Sequence, residues 1–151
     1  MFQLNFPKYS FKVKSTENKR LIFDSCRRKY VPLTPEEWVR QNMVQFLIHE
    51  KKFPQSWIGN EVTVELNQMK KRCDTVVFDQ NSKPLLIAEY KAPNVTITQE
   101  TFDQIATYNF KLKVNYLIVS NGLSHYCCKI NYDKEKYLFL KEIPTFEMLQ
   151  L

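Results

Sequence analysis

Asp74, Glu89 and Lys91 are the residues whose types and spacing could do chemistry. Asp74 lies in the strand-like run Arg72–Asp79, and Glu89 and Lys91 close the run Leu85–Lys91. Between the runs stands Gln80-Asn81-Ser82-Lys83, followed by Pro84, which is turn chemistry. A hairpin with its turn near Asn81 sets Asp74 opposite Ala88 or Glu89. Side chains alternate along a strand, so Asp74, Val76 and Phe78 share one face, and Ile87, Glu89 and Lys91 share one face. If the two faces coincide, two carboxylates and an ammonium converge on one small volume. Such carboxylates repel and resist desolvation unless a cation joins them. Hard oxygen donors suit Mg²⁺ or Mn²⁺. An ion of this kind lowers the pKa of a bound water and stabilises charge during an in-line displacement. A lysine beside it can position or deprotonate the nucleophile, or neutralise developing charge. The competing reading is a hairpin with an ordinary salt bridge. Pro84-Leu85-Leu86-Ile87-Ala88 speaks against it, because a run this apolar suits a buried central strand, whose terminal charges tend to mark a site.

The flanking sequence supplies elements to hold that hairpin. Thr34-Pro35-Glu36-Glu37 reads as a helix start: Thr34 as N-cap, Pro35 in the first turn, and Glu37 three residues after the cap as in a capping box. Trp38, Val39, Met43, Phe46 and Leu47 then recur at helical spacing until His49–Lys52, and Pro54 confirms the stop. Val62, Val64 and Leu66 alternate with Thr63 and Glu65, as in a half-exposed strand. Thr98–Leu112 reads as a second helix with Phe102, Ile105, Ala106, Asn109 and Leu112 along one stripe. Tyr116–Ser120 suits a fully buried strand, Asn121-Gly122 a turn, and Tyr126–Tyr132 with Tyr137–Leu140 a further pair of strands. Phe146–Leu151 is expected as a short terminal helix. Before the first helix, Phe11 and Val13 suggest a short strand or an extended arm, Ser15–Arg20 a loop, and Leu21–Phe23 a short apolar stretch. The cluster Arg27-Arg28-Lys29 suits a solvated loop or, alternatively, a phosphate contact. The resulting order, helix, three strands, helix, three strands, predicts an α/β sandwich with a mixed sheet.

Composition narrows the functional classes. The chain has 151 residues, 44% hydrophobic and 25% charged, which suits a single soluble globular domain. Two glycines, Gly59 and Gly122, cannot form a phosphate-cradling glycine-rich loop, so P-loop and dinucleotide fingerprints are excluded. The net charge of +6 is compatible with a polyanionic partner. Cys26, Cys73, Cys127 and Cys128 form no C-x-x-C pair, and with only His49 and His125 to supplement them a zinc site is not expected. Reduced thiols used as small apolar residues suit a cytoplasmic location. The N-terminus carries charges and Pro7 where a signal peptide needs an apolar run, and no segment is apolar enough to span a membrane.

Asp74, then Glu89-Tyr90-Lys91 on the next strand, then a helix bearing Gln104-x-x-x-Tyr108, resembles the PD-(D/E)xK nuclease superfamily with its added Q-x-x-x-Y motif. More closely, the chain resembles the N-terminal nuclease domain of type I restriction enzyme R subunits. The matching stretches are Leu21-Ile22-Phe23-Asp24, Leu33 to Gln41, Lys71-Arg72-Cys73-Asp74, Glu89 to Pro93, Asp103-Gln104 with Tyr108-Asn109, and Ser120-Asn121-Gly122. The resemblance implies a restriction-endonuclease-like α/β core with a central mixed β-sheet flanked by helices. It also implies a metal-dependent DNA endonuclease using Mg²⁺ or Mn²⁺, with Asp74 and Glu89 as metal ligands and Lys91 as the catalytic lysine. Gln104 and Tyr108 would support the site and contact the nucleic acid backbone. Glu37 corresponds to the first-helix glutamate that often joins the metal site, with helix capping as the rival role; Arg40 could contact phosphate or pair with Glu37. Cys73 stands where the superfamily usually has proline. DNA and other restriction-modification subunits are the implied partners. Residues 1–151 contain no motor domain, so no ATP binding is expected. The alternative is a catalytically silent DNA- or protein-binding module of the same fold.

Overall fold

The computed structural model describes residues 2–149. Three short strands, β1 (Val13–Thr16), β2 (Lys19–Asp24) and β3 (Lys29–Pro32), form a small antiparallel sheet. Helix α1 (Pro35–His49) and a 3-10 turn (Gln55–Trp57) lead into β4 (Ile58–Leu66), β5 (Met69–Phe78) and β6 (Pro84–Tyr90). Helix α2 (Gln99–Leu112) then crosses to β7 (Tyr116–Ser120), followed by β8 (His125–Asn131), β9 (Lys136–Leu140) and α3 (Phe146–Leu149). The expected end of α3 at Leu151 lies outside the described residues.

The main sheet keeps the strands in chain order, β4 to β9. Only β6 and β7 pair in parallel, and their connection is the one that runs through a helix; the other neighbours are antiparallel. The sheet is mixed, with α1 on one face and α2 on the other. Val39, Met43, Val44 and Leu47 of α1 pack with Leu86, Ala88, Tyr90 and Ile118, while Phe102 and Ala106 of α2 pack with Leu117 and Val119. Strands β6 and β7 are thus covered on both faces, which explains their continuous apolar sequences. Cys127 and Cys128 face opposite layers, and all four cysteines are free thiols. Among the described residues no helix is long and apolar enough to cross a membrane.

Two N-terminal expectations fail. Ser15–Arg20 is not a loop but the tip of a hairpin, with a two-residue turn at Glu17 (φ 41°) and Asn18 (φ 69°). Every residue of β1 is exposed, so it carries no apolar alternation for a sequence pattern to detect. The Arg27-Arg28-Lys29 cluster is not simply a solvated loop either. Arg28 (φ 55°) lies in the turn between β2 and β3, Lys29 opens β3, and Arg27 is drawn inward by Asp24 and Glu37.

Candidate active site at a break in the strand ladder

The site forms where regular pairing of β5 stops on both sides. Toward β6 the ladder runs Val76↔Ile87 and Thr75↔Ala88 and then ends. At the next step the Asp74 carboxylate replaces a main-chain acceptor: its Oδ2 receives the Tyr90 N–H at 2.8 Å. Toward β4 the register passes from Asn60↔Thr75 to Val62↔Cys73, leaving out Glu61 and Asp74, and Glu61 takes φ 58°. The Asp74 carbonyl turns to Arg40, whose Nη1 donates to it at 2.8 Å. This break shifts the parity of β5. Cys73 and Val76 both enter the apolar cluster that contains Leu112 of α2, although strict alternation would separate them. Lys71 is thereby carried to the face that Glu89 occupies.

Glu89 is 9% exposed, and its Oε1 accepts a hydrogen bond from Lys71 Nζ at 2.7 Å. The Asp74 carboxyl is the neighbour that acts on Glu89, through its charge and as a hydrogen-bonding partner. Burial and the Asp74 charge push the Glu89 carboxyl up to about 7, and Lys71 opposes them only in part. Burial would lower the Lys71 ammonium, but the Glu89 carboxylate outweighs it and holds the pKa above its ordinary value. The ammonium also sits 5.3 Å from the centroid of the Tyr108 ring. Gln104 is exposed one turn before Tyr108 on α2, and it makes no hydrogen bond among the described residues. Lys91 follows β6, with its N–H donated to the Ser120 carbonyl at 2.9 Å. Its half-buried side chain forms no ion pair among the described residues, so the lysine in contact with Glu89 is Lys71 rather than Lys91.

On the α1 side, Asp74 borders a cleft of about 410 Å³ whose walls include Arg27, Lys29, Glu36, Glu37, Arg40 and Tyr90. Glu37 Oε1 accepts from Arg27 Nη2 (2.9 Å) and Arg40 Nη2 (2.7 Å), and its Oε2 from Arg40 Nε (3.0 Å) and Gln41 Nε2 (2.9 Å). Burial opposes ionisation of Glu37, but Arg40, Gln41 and Arg27 prevail and lower its pKa. Thr34 Oγ1 does accept the Glu37 N–H, so the cap forms; the returning half of a capping box does not, because the Thr34 N–H goes to the Pro32 carbonyl. Glu61 bridges Arg40 and Arg72. A second chain of bonds runs from Tyr90 Oη to Thr75 Oγ1, from that hydroxyl to Asn60 Oδ1, and from Asn60 Nδ2 to Asp24 Oδ2. It ties β6, β5 and β4 to the small sheet.

The donor set can be tested against a divalent cation. On the α1 side Asp24, Glu37 and Glu61 are matched by Arg27, Arg40 and Arg72. Among the described residues the one cation in ion-pair contact with Asp74 or Glu89 is Lys71, on Glu89, so when both carboxyls are ionised one negative charge is in excess. Among the described residues no group of three or more His, Cys, Asp or Glu side chains forms a metal cage. Mg²⁺ is typically bound by one or two carboxylates and keeps several waters, so a pair at the end of a strand fits it.

The family model for the type I restriction enzyme R protein N terminus (HSDR_N) matches residues 35–144. The chain belongs to this family. In the solved structures it is similar to a fragment of a candidate HsdR subunit of a type I restriction enzyme from Vibrio vulnificus YJ016. The TM-score is 0.55 at 18% identity, over 78% of this chain and 25% of that one. At that identity the likeness shows the fold, which is the restriction-endonuclease-like core expected above. The chain spans a quarter of the length of that relative. No curated protein sequence matches it. The matched residues of this HSDR_N chain include both carboxylates, Lys71, Lys91 and the whole α1 network apart from Asp24 and Arg27. Sequence reasoning overlooked Lys71, although the Lys71-Arg72-Cys73-Asp74 stretch contains it, because regular alternation assigns it to the opposite face from Asp74. No sequence signal marks the break: Glu61 continues the polar positions Thr63 and Glu65, and nothing in that residue type announces a left-handed backbone.

Proposed function

We propose that this chain is the nuclease domain of a type I restriction enzyme R subunit, hydrolysing DNA phosphodiester bonds with the help of Mg²⁺ or Mn²⁺. The approach of the Asp74 and Glu89 carboxyls carries the proposal: a pair that lacks enough protein cation, in a setting that raises Glu89 to about 7. Asp74 and Glu89 would hold the ion. When bound, such an ion supplies Lewis acidity and a water of lowered pKa. The chain's own groups do the rest. The Tyr90 N–H and Arg40 fix both ends of Asp74, through Oδ2 and the carbonyl oxygen. In this proposal Lys91 orients the attacking water or takes its proton, and Gln104 and Tyr108 bind the DNA backbone from α2. Glu37 is an anchor for Arg27 and Arg40, and Arg40 acts on Asp74 rather than on phosphate. Other restriction-modification subunits are the proposed partners, supplying sequence recognition in the cytoplasm.

The test is nicking of supercoiled plasmid in Mg²⁺ or Mn²⁺ by wild type and Asp74→Asn. Wild type should nick and the variant should not. Equal nicking by both would remove Asp74 from the chemistry. DNA binding without cleavage by wild type in either metal would instead favour the silent DNA-binding module, a reading supported by the engagement of Glu89 with Lys71.

A further inference from the structure

Lys71 is assigned no role by the motif, yet it makes the closest cationic contact with either candidate metal ligand, 2.7 Å to Glu89 Oε1. A carboxylate as buried as Glu89 is costly without a counter-charge, and its neighbour Asp74 adds a like charge rather than relief. The ammonium therefore stands in for part of the positive charge that a divalent ion would bring. It also has somewhere else to go. The ammonium already lies 5.3 Å from the Tyr108 ring centroid, and the Lys71 side chain is 23% exposed, so on leaving Glu89 it keeps the ring contact and gains water. Aromatic faces stabilise ammonium groups at this range. Glu89 has less choice, because both its neighbours in β6 are buried and its backbone is paired to Val119 of β7.

We infer that Lys71 is an exchangeable counter-cation: it holds the Glu89 carboxylate in the metal-free protein, and divalent metal binding displaces it from Glu89, leaving it to the Tyr108 ring and to water. Lys71 is thus a positioning residue. It keeps the acidic pair together before the ion arrives, and its release leaves positive charge beside the helix face that bears Gln104. The inference rests on Asp74 and Glu89 being the metal ligands.

The exchange is read directly from the reactivity of the lysine amine. Wild-type protein is treated with an amine-acylating reagent in EDTA and in Mn²⁺, and the modification of each lysine is quantified by mass spectrometry. Free Mn²⁺ is followed by electron paramagnetic resonance in the same samples. A charge-assisted hydrogen bond protects Lys71 in EDTA, so its acylation should rise about tenfold when Mn²⁺ binds. The exposed Lys70 should not change, and in Asp74→Asn the metal-dependent rise should vanish. If Mn²⁺ binds and Lys71 reactivity stays the same, the exchange is wrong while the metal site stands. If wild type takes up no Mn²⁺ at all, the metal site fails and the exchange fails with it. A rise at Lys71 that persists in an Asp74→Asn protein unable to bind Mn²⁺ also overturns the exchange.

Discussion

Replacing Glu37 by glutamine separates two roles that the sequence leaves open for this residue. Glu37 is 6% exposed and accepts four hydrogen bonds, three of them from guanidinium groups. Glutamine preserves the shape, but it removes the charge and turns an NH₂ toward Arg27 and Arg40. Removing one partner of a buried ion pair typically costs about 3–5 kcal/mol. Here the lower end applies, because Arg40 keeps Glu61 (2.9 Å) and the Asp74 carbonyl (2.8 Å), and Arg27 keeps Asp24 (2.6 Å). The expected loss is about 3 kcal/mol, or roughly 6–12 °C in Tm for a chain of this size. Denaturant titration followed by circular dichroism measures it. A loss below about 1 kcal/mol, the scale of an exposed pair, would refute the buried anchor. The sign of the pH dependence gives an independent check. The pKa of Glu37 is lowered in the folded state from its usual 4.5, so its stabilisation is present above that pH and is lost as pH falls through the folded-state value. The variant should lack that component of acid sensitivity. Calorimetric titration with Mn²⁺ completes the test: retained stoichiometry with reduced stability supports the anchor, whereas unchanged stability with lost metal binding identifies Glu37 as a ligand.

Gln104→Ala and Tyr108→Ala remove exposed side chains, so each should change stability by less than about 0.5 kcal/mol. If α2 contacts the DNA backbone, both should weaken DNA binding in fluorescence anisotropy; unchanged affinity would detach α2 from the substrate. His125 donates from Nε2 to the Asn5 carbonyl and shares a second hydrogen bond with Ser120 Oγ through Nδ1. Burial lowers its pKa below 6.5, outweighing the bond to Asn5. The associated stability is present above pH 6.5 and declines as pH falls below it, and His125→Gln should flatten that part of the Tm profile. Gly122→Ala should cost about 1–3 kcal/mol in chemical denaturation. Its φ is +86°, and a Cβ there would lie 2.9 Å from Leu4 Cδ2 and 3.1 Å from Val39 Cγ2.

What was legible in the chain follows from where its residues are buried. Strands β6 and β7 are enclosed by two helices, so their apolar runs and the stripes of α1 and α2 state the main sheet plainly. The hairpin turn at Gln80–Lys83 also fixed Asp74 near Glu89 to within one residue. Strands β1 and β3 are mostly exposed and carry no comparable pattern, so the small sheet could not be seen. The roles of the charged residues were less legible still. Glu37, Arg40 and Arg27 are defined by contacts between elements distant in sequence, and no local spacing encodes the bond from Arg27 to α1 or from Arg40 to β5.

Those distant contacts explain why the break in β5 is stable. Leaving a buried strand unpaired at Asp74 strands main-chain groups that normally cost free energy when unsatisfied. The Asp74 carbonyl is satisfied by Arg40, and the Tyr90 N–H by Asp74's own carboxylate. Arg40 can sit there because Glu37 and Glu61 neutralise it, and Glu37 in turn is shared with Arg27, which Asp24 holds. The α1 network is therefore a charge-balanced support whose product is a displaced strand segment. The displacement has two effects on the other face: it frees Asp74 from the ladder beside Glu89, and it turns Lys71 toward the pair. A regular β5 would keep Asp74 in register with Glu61 and send Lys71 to the α1 side, leaving Glu89 without its cation. The left-handed Glu61 is the structural origin of the site, and Glu61→Gly, which adopts that φ without strain, should preserve the geometry while removing one counter-charge from Arg40. Wild-type-like protection of Lys71 from acylation in EDTA would confirm that the backbone break, rather than the Glu61 carboxylate, sets the lysine's position; loss of protection would show that the carboxylate is what holds the break open.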